Sequence, residues 1–141
     1  MHLTRCARYS FASLLLVAGL GACSAAPIRD HSIRVEVWHV GDDGLTTRLA
    51  DAIEVAFKHS HRFVLSSGNL PGTLIASIPS NVRWKEVNGK TRVLFTVDFT
   101  NTHSTSIGQS TGECWDGQLQ KCADAVVRDA EKVANKINLR N

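Results

Sequence analysis

The chain has 141 residues and a formal net charge of +3. Two of its basic residues, Arg5 and Arg8, precede the break at Cys23, so residues 23–141 hold 14 basic against 13 acidic side chains. That near-neutral balance gives no argument for nucleic-acid binding, and the 119 residues suit one domain and no more.

Residues 1–22 read as a secretory signal peptide: basic start, a short apolar run from Phe11, and a small-residue exit. The run is shorter than the ~20 apolar residues that a spanning helix requires. Leu20-Gly21-Ala22-Cys23 resembles a bacterial lipobox, which implies cleavage before Cys23 and acylation of its thiol by a diacylglycerol. The competing reading is an ordinary signal peptide cut after Ala25 or Ala26. Several acyl chains anchor stably where one gives only marginal binding. Ser24 after the cysteine resembles an outer-membrane sorting signal. The expected address is therefore the bacterial cell envelope, lipid-anchored, at the outer membrane facing the periplasm. Residues 23–32 form the lipidated cysteine and a short tether, which spans about 30 Å fully extended.

The domain is expected over 33–141. Ile33, Val35 and Val37 alternate with Arg34, Glu36 and Trp38, which predicts a strand with one buried face. Gly41-Asp42-Asp43-Gly44 breaks it, and either aspartate can cap the following helix. Leu49, Ala52, Ile53, Ala56 and Phe57 form that helix's apolar stripe, and His59-Ser60-His61 ends it. Phe63 to Leu65 and Leu74 to Ile78 read as strands separated by a loop over Ser66 to Gly72. Asn88-Gly89 joins two strands, Asn81 to Val87 and Thr91 to Phe99, as a hairpin. Val93, Phe95, Val97 and Phe99 share the most hydrophobic face and belong in the middle of the sheet. Ile107 to Cys114 reads as a weaker strand near an edge. Gln118 to Ile137 closes the chain as an amphipathic helix. The fold class is α+β: a mostly antiparallel sheet of about five or six strands with two helices on one face, in the order β-α-β-β-β-β-β-α.

With Cys6 in the signal peptide and Cys23 lipidated, Cys114 and Cys122 remain to pair as a disulfide in an exported domain. The spacing is wider than the C-x₂₋₄-C of zinc sites. Trp115 is expected to shield that bond. His59 and His61 suit a helix end better than a metal, and His39 with Asp42 and Asp43 reads more simply as a capped turn. The Gly41–Gly44 turn lacks a phosphate-loop pattern, and its carboxylates repel anions. No nucleophile motif stands out, so no enzyme activity, metal or cofactor is expected. Arg83, Trp84, Lys85 and Arg92 have the composition of a protein-recognition surface, although strand tryptophans more commonly pack beneath a helix.

The segment Leu45-x-x-x-Leu49-Ala50-Asp51-Ala52-Ile53-x-x-Ala56-Phe57 runs into His61-Arg62-Phe63-Val64-Leu65-Ser66-Ser67. With the strand before it and the strands and helix after, it resembles a group of envelope domains. These are the amino-terminal domain of TolB, the penicillin-binding-protein activator LpoB and the curli secretion lipoprotein CsgG. The resemblance implies a non-enzymatic module that binds another envelope protein, with no functional residue carried over. The expected function is a lipid-anchored periplasmic protein-binding accessory to an envelope or secretion assembly. An immunity or inhibitor lipoprotein that blocks a cell-wall hydrolase is the alternative, with a protruding loop at Ser66 to Gly72 or Asn101 to Ser106. A small periplasmic hydrolase using His39 or His103 is a third class.

Overall fold

A computed structural model describes residues 32–68 and 70–138, with side chains from 136 onward not described. The signal peptide, the lipidation at Cys23 and most of the tether lie outside the described residues.

The first strand, β1 (Ile33–His39), leads through a short turn into α1 (Gly44–His59). Of the two candidate caps it is Asp43 that works: its carboxylate accepts the Leu45 and Thr46 backbone N–H groups. Gly41 in that turn is pressed against Asn81, where an added Cβ would stand 2.5 Å from Oδ1 and 3.0 Å from Cα. Ser60 ends the helix in extended backbone, its N–H donating to the Phe57 carbonyl. The chain returns as β2 (Phe63–Leu65), and the rings of Phe57 and Phe63 meet edge to face with centroids 5.0 Å apart.

Four strands follow: β3 (Leu74–Ile78), β4 (Arg83–Val87), β5 (Lys90–Thr100) and β6 (Ser106–Trp115). Asn88 and Gly89 both adopt positive φ, 51° and 70°, as a two-residue turn of the right twist for a hairpin requires. A single 3₁₀ turn over Asp116–Gln118 then opens the closing helix α2 (Leu119–Asn138) one residue later than the sequence predicts.

The six strands form one sheet in which β5 is the common neighbour. One edge of β5 is shared: its amino-terminal half pairs with β4 and its carboxyl end with β3, both antiparallel. The other edge pairs with β6 along almost its whole length. β3 pairs in parallel with β1, which pairs in parallel with the short β2. The sheet is thus mostly antiparallel, with a parallel corner at its amino-terminal end. β6 is an outer strand, in line with its Gly- and Ser-containing sequence.

Both helices lie on one face. Val93, Phe95, Val97 and Phe99 of β5, Leu74, Ala76 and Ile78 of β3, and Val35 of β1 are buried against Leu49, Ile53 and Phe57 of α1 and Ala123, Val126 and Ala130 of α2. Thr46 and Ala50 join the buried side of α1, while Ala52 is only partly buried. The other face of the sheet is covered by no element among the described residues.

Candidate interaction surfaces

β4, the facing half of β5 and the end of β6 extend beyond the end of β1 as an arm whose outer strand is β4, and all of β4 except Val87 is exposed. Alternation along an arm divides its side chains between two faces. Trp84 is opposite Val93, on the side the helices occupy, yet it lies beyond their cover and remains 64% exposed. Arg83 and Lys85 are opposite Leu94 and Arg92, on the uncovered side. The four residues that the sequence grouped as one surface are therefore separated, with Trp84 on one face and the three cations on the other.

The cations have neighbours of their own. Glu113 of β6 accepts from Arg92 at 2.8 Å and pairs more loosely with Lys85 at 3.7 Å. The Arg92 guanidinium lies 4.5 Å from the centre of the Trp115 ring. Trp115 thus packs under Arg92 on the uncovered face, whereas its neighbour Cys114 is opposite buried Val93 on the helix face. This corrects the expectation that Trp115 shields the disulfide. Cys114 and Cys122 are bonded, tying the end of β6 to the first turn of α2. Trp38, on β1, is a second tryptophan on the uncovered face, 51% exposed.

The β1–α1 turn is committed to structure. His39 Nδ1 is 2.8 Å from the Gly41 carbonyl, Asp42 and Asn81 exchange two hydrogen bonds, and Asp43 caps α1. The hydrogen bond from the Thr46 hydroxyl, and next that from its backbone N–H, hold the Asp43 carboxyl below the ordinary range. Among the described residues no three His, Cys, Asp or Glu side chains are grouped as a metal would require. Asn101–Ser106 is a compact turn: Asn101 Oδ1 accepts from the His103 and Thr105 N–H groups.

At the opposite end of the sheet from the arm is a cleft of about 710 Å³ that the sequence did not signal. The starts of β1 and β3 form part of its wall. Ile33, Val64, Leu74, Ile107 and Ala134 give it apolar lining, and among the described residues Arg34 is its one charged lining residue. Thr73 also lines it; this residue is 1% exposed, and its hydroxyl has no hydrogen-bond partner among the described residues.

No protein-family model matches this sequence, and no curated protein does. Solved structures of similar fold were found. A minor lipoprotein from Acinetobacter baumannii superposes with a TM-score of 0.53 at 13% identity, over 74% of this chain and 92% of that one. The likeness is one of fold. TolB from the same organism gives 0.47 at 13% identity, over 74% of this chain, which spans only 29% of TolB's length. PelC from Paraburkholderia phytofirmans, solved as a dodecamer, gives 0.45 at 11% identity over 67% of this chain and 89% of that one.

Proposed function

We propose that this chain is a lipid-anchored envelope protein that binds a protein partner through the β4–β5 arm, as an accessory to an envelope or secretion assembly. The observation that carries the reading is the exposure of Trp84 on an arm remote from the tether. A large indole left in solvent on a rigid strand is the kind of side chain that dominates binding energy when a partner buries it. The register puts Ile33 at the Thr100 end of β5 and the Asn88-Gly89 turn at the other. Eleven residues of strand separate those ends by about 36 Å, at ~3.3 Å per residue. A chain held at Cys23 therefore presents the arm away from the membrane, while the anchor raises its concentration near envelope partners.

The envelope address is supported by the basic, apolar and Leu-Gly-Ala-Cys pattern of residues 1–23, and a solved protein of similar fold is itself called a minor lipoprotein. Open sheet and strand surfaces suit an accessory better than an inhibitor, and Asn101–Ser106, one of the two loops an inhibitor would use, is a tight turn closed by Asn101.

The test is capture of partners from the host envelope by the full chain, wild type beside Trp84→Ala and Cys23→Ala, read by mass spectrometry. Assembly subunits recovered by wild type should fall about tenfold or more with Trp84→Ala, as for a central binding tryptophan. Cys23→Ala should leave the membrane fraction yet retain direct binding. Equal recovery with Trp84→Ala overturns the arm as the surface. A cell-wall hydrolase as sole partner replaces the accessory by an inhibitor.

A further inference from the structure

The cleft at the tether end has the features of a ligand site of its own. Its volume of about 710 Å³ falls within the ~300–1,000 Å³ of small-molecule sites, which are mostly apolar with a few convergent polar groups. Two such groups are present and adjacent. Val35 of β1 is in register with Leu74 of β3, so Arg34 and Thr73 come immediately before the first paired residues of the two neighbouring strands, and both line the cleft. Thr73 is buried, and among the described residues its hydroxyl has no hydrogen-bond partner, a condition that a polar ligand group would relieve. Arg34 is exposed and makes no ion pair with any other described residue. Among the described residues no carboxylate lines the cleft and Arg34 does, a lining that favours a negative charge.

We propose that this cleft binds a free single-chain anionic amphiphile, with its head group between Arg34 and Thr73 and its acyl chain along the Ile33, Leu74, Ile107 and Ala134 wall. An anionic head accepts from both donors at once, and an acyl chain matches the apolar wall. The diacylglycerol expected on Cys23 carries no negative charge and would leave Arg34 without a partner, so the occupant is a lipid from outside the chain. The proposal does not depend on the protein partner of the arm.

The test is calorimetric titration of the full chain carrying Cys23→Ala with sodium dodecanoate below its micellar concentration, beside dodecyltrimethylammonium of equal chain length. Dodecanoate should bind at one per chain and about tenfold or more tighter than the cation, the range of one charge-assisted hydrogen bond. Arg34→Gln, a change at an exposed position, should erase that preference. Thr73→Val should weaken dodecanoate several-fold while leaving the melting temperature of the empty protein equal or higher, because it removes an unpartnered hydroxyl. A purely structural Thr73 would instead lower it. Non-saturating uptake, equal affinity for the cation, or undiminished binding by Arg34→Gln overturns the proposal. So does a lipidated wild-type chain that refuses dodecanoate while Cys23→Ala accepts it, for then the cleft seats the chain's own anchor.

Discussion

The Thr46 hydroxyl accepts a hydrogen bond from the Val82 backbone N–H at 2.9 Å, across 36 residues of sequence. The same hydroxyl donates to Asp43 Oδ2 at 2.6 Å, so one fully buried side chain joins the cap of α1 to the segment between β3 and β4. Thr46→Val keeps shape and branching but leaves the buried Val82 N–H without an acceptor. Urea denaturation should show a loss of about 1–3 kcal/mol. Thr46→Ser should stay closer to wild type. The Asp43 carboxyl should also titrate higher in Thr46→Val, since that hydroxyl is the main cause of its lowered value.

Gly41 and Gly44 flank the same turn and should respond oppositely to alanine. At Gly41 a Cβ meets Asn81 backbone and side chain, so Gly41→Ala should cost about 1–3 kcal/mol as an overpacked site. Nothing lies within 4 Å of a Cβ at Gly44, where alanine should be neutral or stabilise the helix start by up to about 1 kcal/mol. Thermal melts of the two variants side by side distinguish the close contact from a general need for glycine.

Reduction of the Cys114–Cys122 bond releases a short loop, its two cysteines being eight positions apart. In the chain-entropy model a loop of that size corresponds to about 2–3 kcal/mol. Denaturation with and without dithiothreitol should differ by that amount, with the near-ultraviolet signal of neighbouring Trp115 changing in step.

Ser110 is 1% exposed on β6, and its hydroxyl donates to Asp129 of α2 at 2.7 Å. The hydrogen bond from Lys132 first, with that from Ser110, holds the Asp129 carboxyl below the usual aspartate value against the opposite pull of burial. A carboxyl lowered in the folded state stabilises above its unfolded pKa, and that contribution is lost as pH falls through the folded value. Ser110→Ala should therefore cost about 1 kcal/mol at neutral pH. Part of that difference should vanish on acidification below about pH 4, where the wild type loses the same interaction. A constant gap between the two proteins down to pH 2 would remove Asp129 from the account.

Trp84→Ala removes an indole that touches little of the core and should change stability by less than about 0.5 kcal/mol. It should also remove much of the acrylamide-quenchable fluorescence, while Trp115, held under Arg92, stays comparatively protected.

The element order was legible because each element carries its own period. The alternation of Val93, Phe95, Val97 and Phe99 marks the central strand, and Asn88-Gly89 marks its turn. Strand direction has no such local mark, which is why the parallel pairing of β1 with β2 and β3 emerged only from the structure. Thr46 was hidden for another reason: it reads as one polar residue among several, and its burial depends on a distant backbone donor. Grouping Trp84 with Arg83 and Lys85 overlooked a signal that was present, since adjacent strand residues point to opposite faces. The cleft could not be read at all, because Arg34 and Thr73 are neighbours only through the β1–β3 register.

The shared edge of β5 also sets an order of events during folding. The β4–β5 and β5–β6 pairs join segments close in sequence, and α2 follows β6 directly, so the carboxyl-terminal half closes through short loops. β1 emerges first yet cannot find its sheet neighbour β3 until α1 and β2 have been made, which leaves an unpaired apolar strand waiting. Refolding should be limited by that docking. Substitutions at Val35 or Ala76 should therefore slow folding, and a change confined to the unfolding rate would place docking after the barrier. Until docking is complete, Ile33 to Val37 is the segment most exposed to pairing with another chain, and protection of that strand should govern how much of the protein survives to fold.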